Sequence, residues 1–441
     1  MTGRTAVVLF TRDLRVRDNP ALAAACAGFE RVVPLFVLDP GLAGRSANRD
    51  RFLHECLADL RAALRDLGGD LVLRHGDPVA ETIRLAREFD AEGVAVAGDV
   101  SRYARARERR LRAECDRHRM SLRIFPGVTV VDPGALRPSG GGDHFKVFTP
   151  YHRAWLAADW RAEVATPDRI RLPAGIRVGD LPAPPAGDSP HVVPGGAGAG
   201  RDRLRRFARL APGYGDRHDD LAGDGTSHLS PYLRFGCLSP LAVARAVGDR
   251  DGPFVRQVCW RDFYYQVALA RPGLATEALR ARAADDWRTD DDAFTAWADG
   301  RTGVPVVDAG MRQLHAEGWM HNRARLIAGA FLTKYLRLDW RSGLRVFDRW
   351  LVDGDVPNNS GNWQWVAGAG FDTRPHRGFN PIRQAERYDP DGDYVRRYVP
   401  ELAAVAGKAV HQPWRLPPAL RRTLDYPPPL EPAGAEPAWL R

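Results

Sequence analysis

Thr5-Ala-Val-Val-Leu-Phe-Thr-Arg-Asp-Leu-Arg-Val-Arg-Asp-Asn19-Pro20 joins a buried strand to a helix start within sixteen residues. Its first six residues form an almost wholly apolar run of strand length. Asn19 then stands as a helix N-cap, with proline at the first helical position. Working outward, Arg31–Leu38, Leu71–Leu73, Gly93–Ala97 and Ser121–Phe125 read as four further strands. Apolar positions at helical spacing fill 49–67 and 78–90, and 102–118 is a charged, surface-type helix. Apolar strands alternating with helices imply a parallel sheet covered on both faces, an α/β Rossmann-like domain over 1–130.

Beyond residue 130 the character changes. Pro, Gly and Ala dominate 131–200, as in Leu181-Pro-Ala-Pro-Pro185 and Pro194-Gly-Gly-Ala-Gly-Ala-Gly200. That composition predicts a linker with one helix near 150–164. The glycine run at 195–200 follows no strand and lacks the dinucleotide-fingerprint spacing, so it is read as linker. From 201 onward strand signals vanish. Helical periodicity marks 201–210, 239–249, 253–270, 305–317, 319–338 and 341–353, predicting a large all-α domain over 201–441 that holds ten of the twelve tryptophans.

Composition narrows the function class. No apolar stretch reaches the roughly 20 residues that span a bilayer, and the N-terminal run is too short for a signal sequence, so a cytoplasmic location is expected. The five cysteines are scattered and form no CxxC, which suggests neither a disulfide framework nor a zinc site; no metal is expected. The net charge of +9 is carried almost wholly by arginine, lysine occurring only at 146, 334 and 408. It fits either the codon use of a GC-rich genome or a polyanionic partner.

Four segments place polar groups among residues that otherwise pattern as core. In Gly225-Thr-Ser-His-Leu-Ser230 the hydroxyls of Thr226, Ser227 and Ser230 stand beside a helix start, an arrangement suited to phosphate or to simple capping. Cys259-Trp-Arg-Asp-Phe-Tyr264 wedges a charged pair between aromatics. In Gly318-Trp-Met-His-Asn-Arg-Ala-Arg-Leu326, Asn322 and Arg325 share a helical face while Arg323 points about 100° away, so one helix can address two ligands. Leu351-Val-Asp-Gly-Asp-Val-Pro-Asn-Asn-Ser-Gly-Asn-Trp-Gln-Trp365 brackets a glycine with acids, without the calcium-loop spacing.

These segments, in this order and after Arg12-Asp-Leu-Arg15, resemble the photolyase/cryptochrome family over residues 5 to about 402, and most resemble its bacterial class I branch. The strongest signature is Trp319-Met-His-Asn-Arg323 with Asp353-Gly-Asp355, Asn358-Asn359 and Trp363-Gln-Trp365. The resemblance implies an α/β antenna domain, a long linker and a helical FAD domain, acting in light-dependent repair that splits cyclobutane pyrimidine dimers by electron transfer from excited reduced FAD. Tyr214, Thr226, Ser227, Leu229 and Ser230 would hold the FAD phosphates, with His228 where many relatives have Arg. Arg261, Asn322, Arg325, Asp353 and Asp355 would contact the ribityl chain and ring, Arg325 also pairing with Asp353, and Asn359 would lie beside the flavin N5.

The lesion side follows from the same resemblance. Trp260 and Trp365 would pack against a flipped-out dimer, and Asn322 and Arg323 would contact the lesion. Trp287, Trp340 and Trp363 fall at the positions of an electron-transfer chain that photoreduces FAD. Arg12, Phe36, Asp39, Asp99 and Arg234 lie where relatives hold an antenna chromophore, with 8-hydroxy-deazaflavin favoured over methenyltetrahydrofolate, a flavin or an empty pocket. UV-damaged DNA is the expected partner, of a monomer without an obligate protein partner.

The chain also departs from the family pattern. Gln257 replaces a common Glu and loses its negative charge. His218 stands where a DNA-binding Arg is usual, and Pro357 replaces a small residue. A (6-4) photolyase would carry histidines at the positions of Asn322 and Leu326, and neither is present. A cryptochrome-like photoreceptor that signals without repair is the rival reading; the short tail from Pro427 and the retained Trp260 and Trp365 weigh against it.

Overall fold

The computed structural model describes residues 4–223, 225–280, 286–371, 379–434, 437 and 440. Five parallel strands form one sheet in the order β3-β2-β1-β4-β5: β1 (Thr5–Leu9), β2 (Arg31–Leu38), β3 (Val72–His75), β4 (Ala91–Ala97) and β5 (Ser121–Phe125). Every residue of β1 is buried, which is what a continuous apolar run at the centre of a covered sheet requires. The intervening helices are α1 (Pro20–Gly28), α2 (Ala47–Asp66), α3 (Pro78–Glu88) and α4 (Arg102–Arg117). Asn19, Ser46, Asp77 and Ser101 cap them, each side chain accepting an amide of the first turn. This order sets β1 between β2 and β4, so successive crossovers leave β1 in opposite directions and open a crevice at the carboxyl ends of β1 and β4.

The remaining helices are α5 (Phe148–Ala157), α6 (Ala197–Leu210), α7 (Tyr214–Arg217), α8 (Ser230–Phe235), α9 (Pro240–Val247) and α10 (Pro253–Ala270), followed by α11 (Asp291–Ala298) and α12 (Pro305–Glu317). After them come α13 (Asn322–Ala330), α14 (Trp340–Trp350), α15 (Val356–Ala367), α16 (Pro381–Tyr388), α17 (Asp393–Tyr398) and α18 (Pro418–Arg421). Among the described residues, no helix is long and apolar enough to cross a membrane.

Compactness groups the chain in two units: residues 1–187, 193–212 and 227–272, and residues 188–192, 213–226 and 273–441. This grouping cuts across the linear boundaries expected at 130 and 200. In the first unit, Asp262 of α10 accepts the amides of Val130 and Val131 at 2.9 and 3.1 Å and the indole N–H of Trp155 at 3.0 Å. Gln266, one turn on, clamps the amide and carbonyl of Phe145, both at 2.8 Å. The segment after α5 donates no regular ladder, yet the carbonyls of Arg171 and Val178 accept from Val32 and Leu73.

The glycine run is a correction to the linker reading, because α6 begins within it. The amides of Gly195, Ala197 and Gly198 donate to the carboxylates of Glu55 and Asp59 on α2, and that of Gly196 to Cys56 Sγ. Gly196 has φ +103°, and a Cβ on Gly195 would lie 2.6 Å from the Phe52 carbonyl oxygen, so glycine permits this close approach. A second correction concerns 319–338, expected as one helix. Gly318 ends α12 in the left-handed conformation, His321 caps α13, and a π turn over Phe331–Tyr335 follows.

The regular secondary structure of the second unit's described residues is helical, apart from one isolated bridge, Arg288 to Leu338. Its core gathers Trp297, Trp340, Trp363, Phe331 and Phe347 with aliphatics of α12, α13 and α17. The C-terminal segment docks on it. Tyr426 donates its hydroxyl to buried Asp308, and the Leu430 amide donates to the Thr302 carbonyl at 2.8 Å.

Candidate active site

In the second unit, α13 sends its two arginines to different surroundings, as the helical spacing implies. Arg325 donates Nε to the Met320 carbonyl and Nη2 to Asp353 Oδ2, both at 2.8 Å. Asp353 is buried, with a side chain only 3% exposed, and its Oδ1 has no hydrogen-bond partner among the described residues. A buried carboxylate oxygen without a donor is costly. It fits a ligand that presents a hydroxyl or ring N–H, as FAD does. Asp355 serves as the N-cap of α15, accepting the amide of Asn358 at 2.9 Å and its Nδ2 at 3.0 Å. Asn359 is half-buried, its Nδ2 3.4 Å from the Leu344 carbonyl.

Arg323 turns the other way. It meets Asp219 with two prongs, Nη2 to Oδ2 at 2.5 Å and Nε to Oδ1 at 3.2 Å, and its guanidinium lies 4.3 Å from the centre of the Tyr388 ring. His218 faces the same carboxylate at 3.6 Å and stacks on Tyr214. Asn322, at the start of α13, is exposed. Asp219 was missed by sequence reasoning; its only signal is its place beside His218 in Arg217-His218-Asp219.

The three tryptophans of the expected electron-transfer chain belong to one core. Trp340 and Trp363 are buried within it, and Trp287 packs against it partly exposed. Trp363 meets Phe347 edge-on at 4.9 Å, and a Cβ on Gly343 would fall 2.2 Å from its ring, so glycine leaves the space the indole fills. Trp365, two residues on, is half-buried.

In the first unit, Trp260 of α10 is half-buried and lies flat against Phe148, ring centres 3.6 Å apart and planes 3° from parallel. Gln257, one turn earlier, is exposed. The Arg261 guanidinium is engaged by the Val128 carbonyl at 2.6 Å and the Tyr265 hydroxyl at 3.0 Å, and it covers the Tyr265 ring. Beside it Asp262 is fully buried, and burial pushes its carboxyl up to about 6. Asp262 is therefore an internal anchor of α10, a role that residue type alone did not reveal.

Ser227 accepts the Leu229 amide on its hydroxyl at 3.3 Å and the Arg203 guanidinium on its carbonyl at 3.0 Å. His228 adopts φ +49°, and Ser230 opens α8, which is six residues long. On the sequence side of the second unit, Thr226 is half-buried and Tyr214 buried.

Also in the first unit, Arg12 follows β1 and Asp99 follows β4, so their ion pair at 3.3 Å stands where the strand order reverses. Arg12 Nε also donates to the Arg234 carbonyl at 2.9 Å. Asp39 follows β2 and accepts the Tyr103 hydroxyl, and Phe36 is buried in β2. The carboxyl ends of strands at such a reversal are where open α/β sheets take ligands. Arg12, Asp39 and Asp99 thus follow the carboxyl ends of β1, β2 and β4, the Arg234 carbonyl meets Arg12, and Phe36 lies within β2.

Residues 6–169 match the DNA photolyase family, and residues 254–433 match the FAD binding domain of DNA photolyase. A deoxyribodipyrimidine photo-lyase of Streptomyces griseus is 48% identical over 436 residues, 96% of each chain. A bacterial class III photolyase from Agrobacterium tumefaciens superposes with a TM-score of 0.91 at 35% identity, over 97% of this chain and 94% of its own. The Synechocystis cryptochrome superposes with a TM-score of 0.87 at 29% identity, over 97% and 96%. The chain belongs to the photolyase/cryptochrome family and carries the FAD-binding domain of a DNA photolyase.

Proposed function

We propose that this photolyase splits cyclobutane pyrimidine dimers in UV-damaged DNA. Bound and reduced, FAD would supply the light-driven electron that opens the cyclobutane ring and would take it back, leaving no net redox change. Asp353, Asp355, Arg325, Asn322, Asn359 and Arg261 are assigned to its ribityl chain and ring. Tyr214, Thr226, Ser227, His228, Leu229 and Ser230 are assigned to its phosphates. The spare oxygen of Asp353 supports that assignment, since it needs a donor that the described residues do not provide.

The observation that carries the lesion reading is Trp260, a half-buried indole held in one plane. A flipped-out base needs such a surface, because extrusion costs a few kcal/mol that stacking must return. Trp365 and Gln257 are placed with it on the lesion, and Arg323, His218 and Asn322 on the damaged strand. Asn322 and Leu326 stand where a (6-4) enzyme would need histidines, which favours the cyclobutane substrate. Trp363, Trp340 and Trp287 are proposed to carry electrons to the flavin.

For the second chromophore, the Arg12–Asp99 pair at the strand reversal supports an antenna held by Arg12, Phe36, Asp39, Asp99 and Arg234, with 8-hydroxy-deazaflavin preferred. The absorption spectrum before and after FAD bleaching identifies it. A cytoplasmic monomer is the accompanying proposal.

The deciding experiment is repair of thymine-dimer and (6-4) oligonucleotides under blue light by the fully reduced protein. Repair of the first alone is expected. Repair of neither would favour the photoreceptor reading, which the likeness to the Synechocystis cryptochrome supports.

A further inference from the structure

We propose that Phe148 is a positioning residue for damage recognition: it holds one face of Trp260 so that the indole offers a single, preset face to a flipped base. The inference rests on the lesion reading of Trp260 given above and adds the residue that makes that reading selective. Phe148 opens α5 and is 6% exposed; Trp260 lies on α10, and both belong to the first unit.

Their rings are nearly parallel, with centres only 3.6 Å apart, so they overlap almost face to face. Ring quadrupoles disfavour that overlap relative to offset or edge-on pairs. The packing around it must therefore impose it. Phe263 of α10 meets both rings edge-on, at 5.8 Å and 87° for Phe148 and 5.5 Å and 86° for Trp260. His152, one turn along α5, stacks on Phe148 at 5.4 Å, and the Arg256 guanidinium lies 5.1 Å from the Phe148 ring centre. Phe148 is thus fixed by its neighbours, and Trp260 is fixed by Phe148.

Two consequences bear on recognition. An indole already ordered loses little rotamer freedom when a base stacks on it, so more of the stacking free energy appears as binding. One face being occupied, a base can stack only on the other, and the Tyr264 ring lies tilted beside the indole at 5.8 Å and 32°. Undamaged DNA presents no extruded base and gains nothing from this arrangement. Phe148 therefore acts on the ratio of affinities for damaged and undamaged DNA more than on either the flavin or general DNA binding.

The test compares F148L, F148Y and W260A in the flavin-loaded protein, reading the affinity ratio for thymine-dimer over undamaged duplex, bound FAD absorbance and the thermal midpoint. F148L keeps an apolar side chain of similar size without a ring. The ratio should fall about 2- to 10-fold in F148L, with FAD retained, and F148Y should restore it. A ratio in F148L equal to that of the parent protein, while W260A loses it, overturns the positioning role but leaves the lesion site standing. An unchanged ratio in W260A overturns the lesion reading itself and the inference with it. A lower ratio that F148Y fails to restore marks Phe148 as a packing residue and also overturns the inference.

Discussion

Trp260 in the first unit and Trp363 in the second are both large indoles on helices, yet they are held in opposite ways. Trp260 is half-buried and flat against one partner ring. Trp363 is 3% exposed, boxed by Phe347 and Trp297 edge-on, and its N–H, like that of Trp340, finds no acceptor among the described residues. Buried indoles usually donate that N–H, as Trp155 does to Asp262 and Trp297 to the Ala328 carbonyl. Leaving it unpaired costs about 1–3 kcal/mol. The contrast separates three settings of tryptophan: flat against one ring and half-buried, buried with its N–H paired, and buried with no acceptor among the described residues.

The largest effect should come from breaking the third class. W340F or W363F should abolish photoreduction of oxidised FAD, followed by bleaching under blue light with an external reductant. Because no N–H bond is lost, stability should fall by less than in W297F, which leaves the Ala328 carbonyl unpaired; denaturant melts of the three variants measure this. If W297F also stops photoreduction, the distinction between strut and conduit collapses.

Next in size is the stacking surface. W260A should lower the preference for dimer-containing DNA by about 1–3 kcal/mol while FAD stays bound, checked by competition binding. Equal weakening of damaged and undamaged DNA would place Trp260 in general DNA binding.

The two units also share a device that sharpens the comparison, a buried carboxylate that ties distant main chain to a helix. Asp262 holds 130–131; Asp308 holds the amides of Thr302 and Gly303 and the Tyr426 hydroxyl. Burial raises both carboxyls to about 6. The folded state therefore keeps these protons longer than the unfolded chain does. Their stabilising contribution is full below about pH 4 and is lost as pH rises through about 6. The Tyr426 hydroxyl favours charged Asp308, so Y426F should cost about 1–2 kcal/mol at pH 7 and less at pH 5, measured by urea unfolding. An equal cost at both would show that Asp308 is not the partner that matters.

The smallest effect is expected at Arg323. D219N removes a half-exposed partner and one negative charge, so affinity for any duplex should rise a few-fold and its salt dependence should steepen slightly. Weaker binding would mean that Asp219 prepares Arg323 for DNA.

Much of this was legible beforehand for specific reasons. The five strands and the start of α1 follow from local apolar runs and from Asn19-Pro20, whose effects act within one turn, whereas the caps at Ser46, Asp77 and Ser101 emerged only from the structure. The Arg325–Asp353 pair followed from motif resemblance, and the structure brings those side chains together. Phe148, Asp219 and Asp262 escaped because their partners lie 112, 104 and over 130 residues away, and no periodicity encodes such a meeting. The glycines at 195–200 misled because flexibility and close packing require the same residue.

The order of amino acids alone determined an α/β half, a helical half and the chemistry-bearing motifs, since hydrophobic spacing and capping are short-range. Folding in three dimensions alone decided that α6 and α8–α10 join the sheet's unit, that one face of Trp260 is taken, and that Asp353 Oδ1 finds no partner among the described residues. Those outcomes depend on which distant surfaces exclude water from one another, and that is a property of the folded whole.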